Sequence, residues 1–380
     1  MGFIIKVLHL CPDYPNTKLY KELIQSLEKI GVEQLVYVPL RKDKKFIVNI
    51  DNKIGNTNFV YSKAFNDIDR LFYIRKIKKI LCDIKNKVDF KGINLIHAHF
   101  LFSMGGIALK LKKEKNIDYV VSVRNSDVNL FFKYMFHIRK IGINIMKEAK
   151  KIVFLSPAYK EFVINRYVPH KLRDCIKQKS AIVPNGVNPF WLQNKYVKSE
   201  YKNRNQISLI YVGEFTKNKN IDVSIKVARK LEELGYSVKF IIIGGRGGYE
   251  SKIKKLAKTN KDIIEIYNRI EKRERLLKMF RKSDIFIMPS RYETFGLVYI
   301  EAMSQGLPII YTKGQGIDRY FEDGTAGYSV NPKDINDIVK KIAMIIHNYN
   351  EISKNCFNLV ENFSWDKIAK IYHNIYTSGF

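Results

Sequence analysis

Short apolar runs rich in Ile and Val alternate with longer stretches of helical spacing along almost the whole chain. A chain written this way has few folds open to it. Residues 3–10 read as a strand, 17–30 as a helix and 34–39 as a second strand. Further strands are predicted at 94–98, 119–123 and 152–155, with helices between them that include 67–87 and 104–115. Runs this short and this apolar belong in α/β folds, in parallel sheets with helices on both faces.

The pattern stops once. Val183-Pro184-Asn185-Gly186-Val187-Asn188-Pro189 holds two prolines, a glycine and two asparagines, which reads as a turn or linker. A polar stretch, 194–206, follows, and then the alternation restarts with strands at 208–212, 238–243, 263–266, 284–288 and 308–311 and a helix at 221–234. At 380 residues the chain has room for two domains. We expect two doubly wound, Rossmann-like domains facing across a cleft: 1–190, then 191–360, with a C-terminal helix at 361–380 packing back on the first. A cleft of this kind is the natural ligand site, because ligands bind at the carboxyl ends of parallel strands.

Charge narrows the partners. Lys and Arg number 67 against 37 Asp and Glu, a net of +30, and the first 190 residues hold 35 basic against 16 acidic side chains. Such a surplus suits a polyanion, whether nucleic acid, an anionic membrane or phosphorylated small molecules; a Lys- and Asn-rich composition is the other source of it. A hydrophobic share of 46% excludes a disordered or collagen-like chain. Cys11, Cys82, Cys175 and Cys356 lie far apart without metal-ligand or redox spacing, so reduced thiols in a cytoplasmic protein are expected. The opening MGFIIKVLHLCPDYP does not read as a signal peptide, and no uncharged apolar stretch reaches the roughly 18 residues that span a bilayer. Residues 130–151 mix Phe, Met and Ile with Lys133, Arg139, Lys140, Lys147, Lys150 and Lys151. Read as a helix broken near Gly142, this segment suits either a membrane interface or an ordinary core.

The most informative segment is DIFIMPSRYETFGLVYIEAM, residues 284–303. A buried strand runs into Pro289-Ser290, then a polar turn, then a helix expected to start near Phe295. Glu293 and Thr294 fall at the strand's carboxyl end. The backbone N–H groups of Phe295, Gly296 and Leu297 are then unpaired at a helix N-terminus, a ready anion site that Gly296 lets a phosphate approach. Glu301 follows Glu293 by eight residues, about two helical turns, so both can address one ligand. A capped helix with two solvated glutamates is the bland alternative.

This segment resembles the donor-binding signature of the family 4 glycosyltransferases, retaining enzymes of the GT-B fold. Other pieces fall in the same order: His97-Ala98-His99-Phe100, Val183-Pro184-Asn185-Gly186-Val187, Tyr211-Val212-Gly213 followed by Lys219, Ile243-Gly244-Gly245, Gly306-Leu307-Pro308-Ile309-Ile310 and Glu322-Asp323-Gly324-Thr325-Ala326-Gly327-Tyr328. The resemblance covers nearly the whole chain and is strongest over 180–330.

The resemblance implies transfer of a sugar from a UDP- or GDP-linked donor to a glycan acceptor, of the bacterial surface-polysaccharide type. Glu293 would hold the sugar hydroxyls and Glu301 the ribose. Lys219, with the amides of Phe295, Gly296 and Leu297, would hold the diphosphate beside Gly213. The base would sit near Asn268, Arg269 and Ile270. Fixed dipoles and a cation aimed at the leaving diphosphate lower the barrier without a metal, and no cofactor is expected. Asp67-Ile68-Asp69, the nearest thing to a metal-binding Asp-x-Asp, reads better as capping of the helix it heads.

The chain departs from the family at three places. Glu214 stands where an arginine usually follows the glycine; either it points away, or Arg246 or Lys217 compensates. The usual Gly-Gly loop after the first strand is missing, and Arg124 takes the place of a usual His, with Asp127 retained. Arg124 either faces the cleft toward a phosphate or an anionic acceptor, or is a surface arginine paired with Asp127. His99 is the candidate to face the acceptor. The more basic first domain favours a lipid-linked, phosphate-bearing acceptor and peripheral contact with an anionic membrane. The competing readings are a nucleotide-sugar epimerase of the same fold, which needs no acceptor, and a nucleic-acid-binding protein. No helix-turn-helix, zinc-finger spacing or aromatic RNA-binding motif supports the latter.

Overall fold

The computed structural model describes residues 5–42, 51–197 and 205–378. Residues 198–204 of the polar stretch, like the first two positions of the predicted strand 3–10, lie outside the described residues. The chain forms two compact units: Met1–Leu155, Lys160–Gly186 and Trp365–Phe380 make the first, Ser156–Tyr159 and Val187–Ser364 the second. The expected divisions after 190 and 360 thus fall at 186 and 364.

The first unit is built on an eight-stranded sheet. Its strands are β1 (Lys6–Leu10), β2 (Glu33–Arg41), β3 (Lys53–Ile54), β4 (Thr57–Phe65), β5 (Leu95–Ala98), β6 (Asp118–Val123), β7 (Lys151–Phe154) and β8 (Ser180–Ile182), in the order β3-β4-β2-β1-β5-β6-β7-β8. Every neighbouring pair is parallel except β3 with β4. The strand β4, TNFVYSKAF, escapes a reading keyed to unbroken apolar runs, because it lies near the sheet edge and interleaves polar residues, of which Asn58 and Lys63 are exposed. The helix Lys18–Lys29 starts where the Thr17 hydroxyl accepts a hydrogen bond from the Leu19 N–H. Its Leu23 and Leu27 join Trp365, Ile368, Tyr372 and Tyr376 of the helix Trp365–Thr377 over Val7, Leu95 and Val120 of the sheet. The Trp365 indole N–H donates to Glu22 at 2.8 Å. The C-terminal helix is therefore part of the first unit's core.

Two predicted helices are broken. The span 67–87 becomes a short 3-10 turn, Ile68–Arg70, and a helix that starts only at Tyr73. The cause is Asp69, whose buried carboxylate accepts from the Asn66 N–H at 2.8 Å and pairs with Arg75 and Lys79 at 2.9 and 2.8 Å. That draws the backbone into a tight turn and leaves Leu71 and Phe72 outside the helix. The span 130–151 becomes a π-helical turn over Asp127–Phe132, a 3-10 turn over Phe136–Ile138 and a helix over Arg139–Glu148. Gly142, the expected break, lies inside that last helix. A β-carbon there would overlap the Phe102 ring, so this glycine serves close packing rather than chain reversal.

The second unit carries a six-stranded, fully parallel sheet: β9 (Gln206–Glu214), β10 (Ser237–Gly245), β11 (Ile264–Asn268), β12 (Ile285–Ile287), β13 (Ile309–Thr312) and β14 (Gly327–Val330), in the order β11-β10-β9-β12-β13-β14. Leu209, Ile210, Ile241, Ile242, Phe286 and Ile310 are almost wholly buried, as expected for strands covered on both faces. The linker glycine Gly186 packs against Trp365, and Asn188 caps the short helix Pro189–Gln193 by accepting from the Phe190 N–H.

Candidate functional site

In the second sheet the chain runs outward from β9 through β10 to β11, then returns to the other side of β9 with β12. That reversal opens a crevice at the carboxyl ends of β9 and β12, where open α/β sheets bind ligands. Two loops meet there. Asn218, in the turn Lys217–Lys219 after β9, clamps the loop after β12. Its carbonyl accepts from the Arg291 N–H at 2.8 Å, its amide donates to the Tyr292 carbonyl at 2.8 Å, and its side-chain oxygen accepts from the Tyr292 N–H at 3.0 Å. The clamp delivers Lys219 to Glu293, with Nζ 2.7 Å from Oε2. Only 22% of the lysine and 14% of the glutamate side chain is exposed, so the pair is shielded yet reachable. The other Glu293 oxygen accepts from the Thr294 N–H at 3.1 Å, and the Glu293 carbonyl accepts from the Gly316 N–H at 2.8 Å.

The helix expected near Phe295 begins at Leu297 and ends at Met303. Gly296 ahead of it has φ +84°, a left-handed conformation that turns the loop into the helix and that other residues adopt only with strain. Phe295 is buried against Tyr320 and Phe363, ring centroids 5.8 and 5.7 Å away, so only its backbone can serve a ligand. Thr294 is buried as well. With seven residues the helix has a weak dipole, and Lys219 is the stronger source of positive potential. Glu301 is half-buried on the second turn.

Gly213, Glu214, Arg269 and Ile270 line one recess of about 170 Å³ with Gly244 and Gly245. Glu214 is exposed at the end of β9 and borders this recess, and Arg269 rather than Arg246 or Lys217 is the basic residue that borders it too. Asn268 is exposed at the end of β11.

The first unit has its own reversal, between β1 and β5. There His9 stands in register with His97. His9 Nδ1 and His99 Nε2 share a hydrogen bond of 3.0 Å, while His97 meets Tyr376 at 2.7 Å and Ser122 at 2.9 Å. All three rings are buried, and burial lowers their basicity, that of His9 to a pKa of about 3. They are neutral at physiological pH. His99 thus turns into the interior instead of toward an acceptor. Among the described residues this is the group whose donors lie close enough, within 4.8 Å, to share a metal ion. The partners already taken by both His97 nitrogens and the adverse Arg124 charge nearby argue against one.

Arg124 and Asp127 also differ from expectation. Arg124 is 6% exposed, donates to the Asn185 side chain at 2.9 Å and lies over the Tyr20 ring, so it is no surface arginine. Asp127 is fully buried and accepts from the backbone N–H groups of Leu101, Phe102 and Arg124 at 3.0, 3.0 and 2.8 Å. It ties the loops after β5 and β6 together and touches no open space. Burial raises its carboxyl to about 6, against the opposing pull of those three hydrogen bonds. Sequence reasoning missed Asn218, which has no charge to advertise it, and His9, whose partnership with His99 appears only once β1 and β5 are paired.

Comparison with known proteins agrees with this geometry. Residues 193–362 match the model of the glycosyl transferases group 1, and residues 18–189 that of glycosyltransferase family 4. An uncharacterised glycosyltransferase of Methanocaldococcus jannaschii is 26% identical over 98% of this chain and 99% of its own. The alpha-monoglucosyldiacylglycerol synthase of Acholeplasma laidlawii is 25% identical over 93% of this chain and 91% of its own. The fold is shared with the lipopolysaccharide outer core galactosyltransferase, with a TM-score of 0.75 at 16% identity over 99% of this chain and 100% of that one. Two parallel-sheet α/β units of this kind define the GT-B class. The chain belongs to the family 4 glycosyltransferases of that fold.

Proposed function

We propose that the chain transfers a sugar, with retention of anomeric configuration, from a UDP- or GDP-sugar to a lipid-linked glycan acceptor in the building of a bacterial surface polysaccharide. The observation that carries this reading is the shielded Lys219–Glu293 pair at the β9–β12 crevice. A diphosphate entering beside Lys219 takes over its charge and frees the Glu293 carboxylate for the hydroxyls of the attached sugar. As the glycosyl bond breaks, negative charge grows on the leaving diphosphate, and Lys219 with the amides at 295–297 is already aimed at it. Glu301 serves the ribose, and the recess at Gly213, Arg269 and Ile270, with Asn268 at its edge, serves the base. This arrangement supplies the positive charge from protein groups, so transfer requires neither metal nor cofactor. The relative named for making a glucosyl diacylglycerol supports a lipid acceptor, and the net charge of +30 supports peripheral contact with an anionic membrane. Among the described residues no helix is long and apolar enough to cross a bilayer.

The test is incubation with UDP- and GDP-sugars in the presence of a chelator, with and without bacterial membrane lipid. Release of nucleoside diphosphate should survive chelation and rise with the lipid, and nuclear magnetic resonance of an α-linked donor's product should show an α linkage. Activity abolished by the chelator and restored by a divalent ion would refute the metal-free site; an altered free sugar formed without acceptor would indicate an epimerase.

A further inference from the structure

The crevice at the strand-order reversal of the first unit differs in character from that of the second: it is apolar. A groove of about 940 Å³ lies beside Pro12 and Phe100 at the ends of β1 and β5, walled by Ile68, Leu71, Leu130 and Met135. A second recess of about 660 Å³ adjoins it, sharing Leu71 and Tyr73 and reaching His137 and Ile138. Both are formed by the two segments whose expected helices the structure breaks.

Those breaks push large apolar side chains into water. Of the eleven large hydrophobic side chains exposed among the described residues, seven belong to these two segments. Leu71 is 75% exposed and Phe136 66%; Ile68, Phe72, Ile74, Leu130 and Tyr134 are each at least half exposed. Soluble surfaces rarely gather apolar groups this way without a partner. Cations accompany them. Residues 67–79 carry five basic and two acidic side chains, and 126–140 carry three and one. The Arg139 guanidinium lies 4.1 Å from the centre of the Phe136 ring, and the Lys133 ammonium 5.0 Å from that of Tyr134.

We propose that this face docks on an anionic lipid bilayer. The exposed side chains enter the boundary between headgroups and acyl chains, the basic residues meet lipid phosphates, and the groove receives the hydrocarbon chain of an amphiphilic acceptor. Its last step, the acceptor, rests on the glycosyltransferase reading above, whereas the docking does not. Charge complementarity selects the occupant. A second copy of this chain would bring the same positive face and be repelled, whereas an anionic bilayer offers both an apolar layer and the opposite charge.

The experiment is co-sedimentation of the full chain with vesicles of phosphatidylglycerol and phosphatidylcholine, and with vesicles of phosphatidylcholine alone. Binding to the anionic vesicles should exceed binding to the neutral ones and weaken as salt is raised. The double variant Tyr134→Glu, Phe136→Glu, at exposed side chains outside the groove, should bind the anionic vesicles at least about tenfold more weakly. Because both side chains are exposed, its melting temperature and its hydrolysis of the nucleotide sugar should be unchanged. Equal binding by parent and variant, or equal binding to neutral and anionic vesicles, overturns the proposal. So does a parent that is dimeric by light scattering, becomes monomeric in the variant and binds no vesicle, since the face is then an interface between copies. Vesicle binding that the variant loses, in a parent that turns over no nucleotide sugar, refutes the donor reading and upholds the docking surface.

Discussion

Glu293 and Lys219 pair with each other at 2.7 Å, and the proposed reaction gives each a different part of the donor. Replacing them should therefore give different signatures in calorimetric titration. Lys219→Ala should weaken a nucleoside diphosphate roughly ten- to a hundredfold, the loss of one hydrogen bond to a charged group, and leave the bare nucleoside unaffected. Glu293→Gln should keep nucleoside diphosphate affinity and lower turnover, because that ligand has no sugar to hold. A common loss of melting temperature with one shared binding pattern would make the pair structural. Asp127 carries a different prediction. Its folded pKa of about 6 exceeds the unfolded value of about 3.9. Between those values the folded protein keeps a proton that the unfolded chain has released. The stability this group contributes is thus full below about pH 4 and is lost as pH rises through about 6. Asp127→Asn should flatten that part of the melting-temperature profile. Above about pH 6, where the group is ionised, it should also lower stability by roughly 1–3 kcal/mol, since an amide cannot accept from three backbone N–H groups as a carboxylate does. A calorimetric series from pH 4.5 to 7.5 checks both.

Among the elements, helices were hardest to delimit, and tertiary contacts are the reason. The spacing of 67–87 is helical throughout, yet the buried Asp69 carboxylate draws the chain into a turn before Tyr73. Gly142 illustrates the reverse. Read locally it breaks a helix, but it lies within Arg139–Glu148, where the Phe102 ring occupies the space a side chain would need. Gly142→Ala gains up to about 1 kcal/mol of helix propensity. The overlap should outweigh that gain, for a net loss on the order of 1–2 kcal/mol in urea unfolding. Adding Phe102→Leu should recover part of the loss; an additive result would place the strain elsewhere.

At the scale of the whole molecule, the last helix belongs to the first unit although the second unit precedes it in sequence. Ending the chain at Ser364 would uncover Val7, Leu23 and Leu95. The first unit should then lose its cooperative melting, measured by calorimetry, while amide exchange in β9 and β10 stays slow. Uniform loss of protection in both units would show that they fold as one.

Residues and their spacing were enough to mark most strands, the break near Gly186 and the ordered motifs that place the chain in its family, because side-chain period and turn chemistry act over a few neighbours. The strand β4 is less legible, since polar residues such as Asn58 and Lys63 interrupt it one strand in from the sheet edge. Only the tertiary structure decided which residues meet. Lys219 and Glu293 are 74 positions apart and are joined by an uncharged clamp, Asn218. His99 looked open at a strand end until β1 brought His9 against it. Ile68, Leu71 and Phe136, which lie within stretches of helical spacing, stand in water where a carboxylate and a π-helical turn reshape the backbone around them. Local pattern determines what each segment can be; the order of strands in a sheet determines what it faces, and that order is set by packing the whole chain at once.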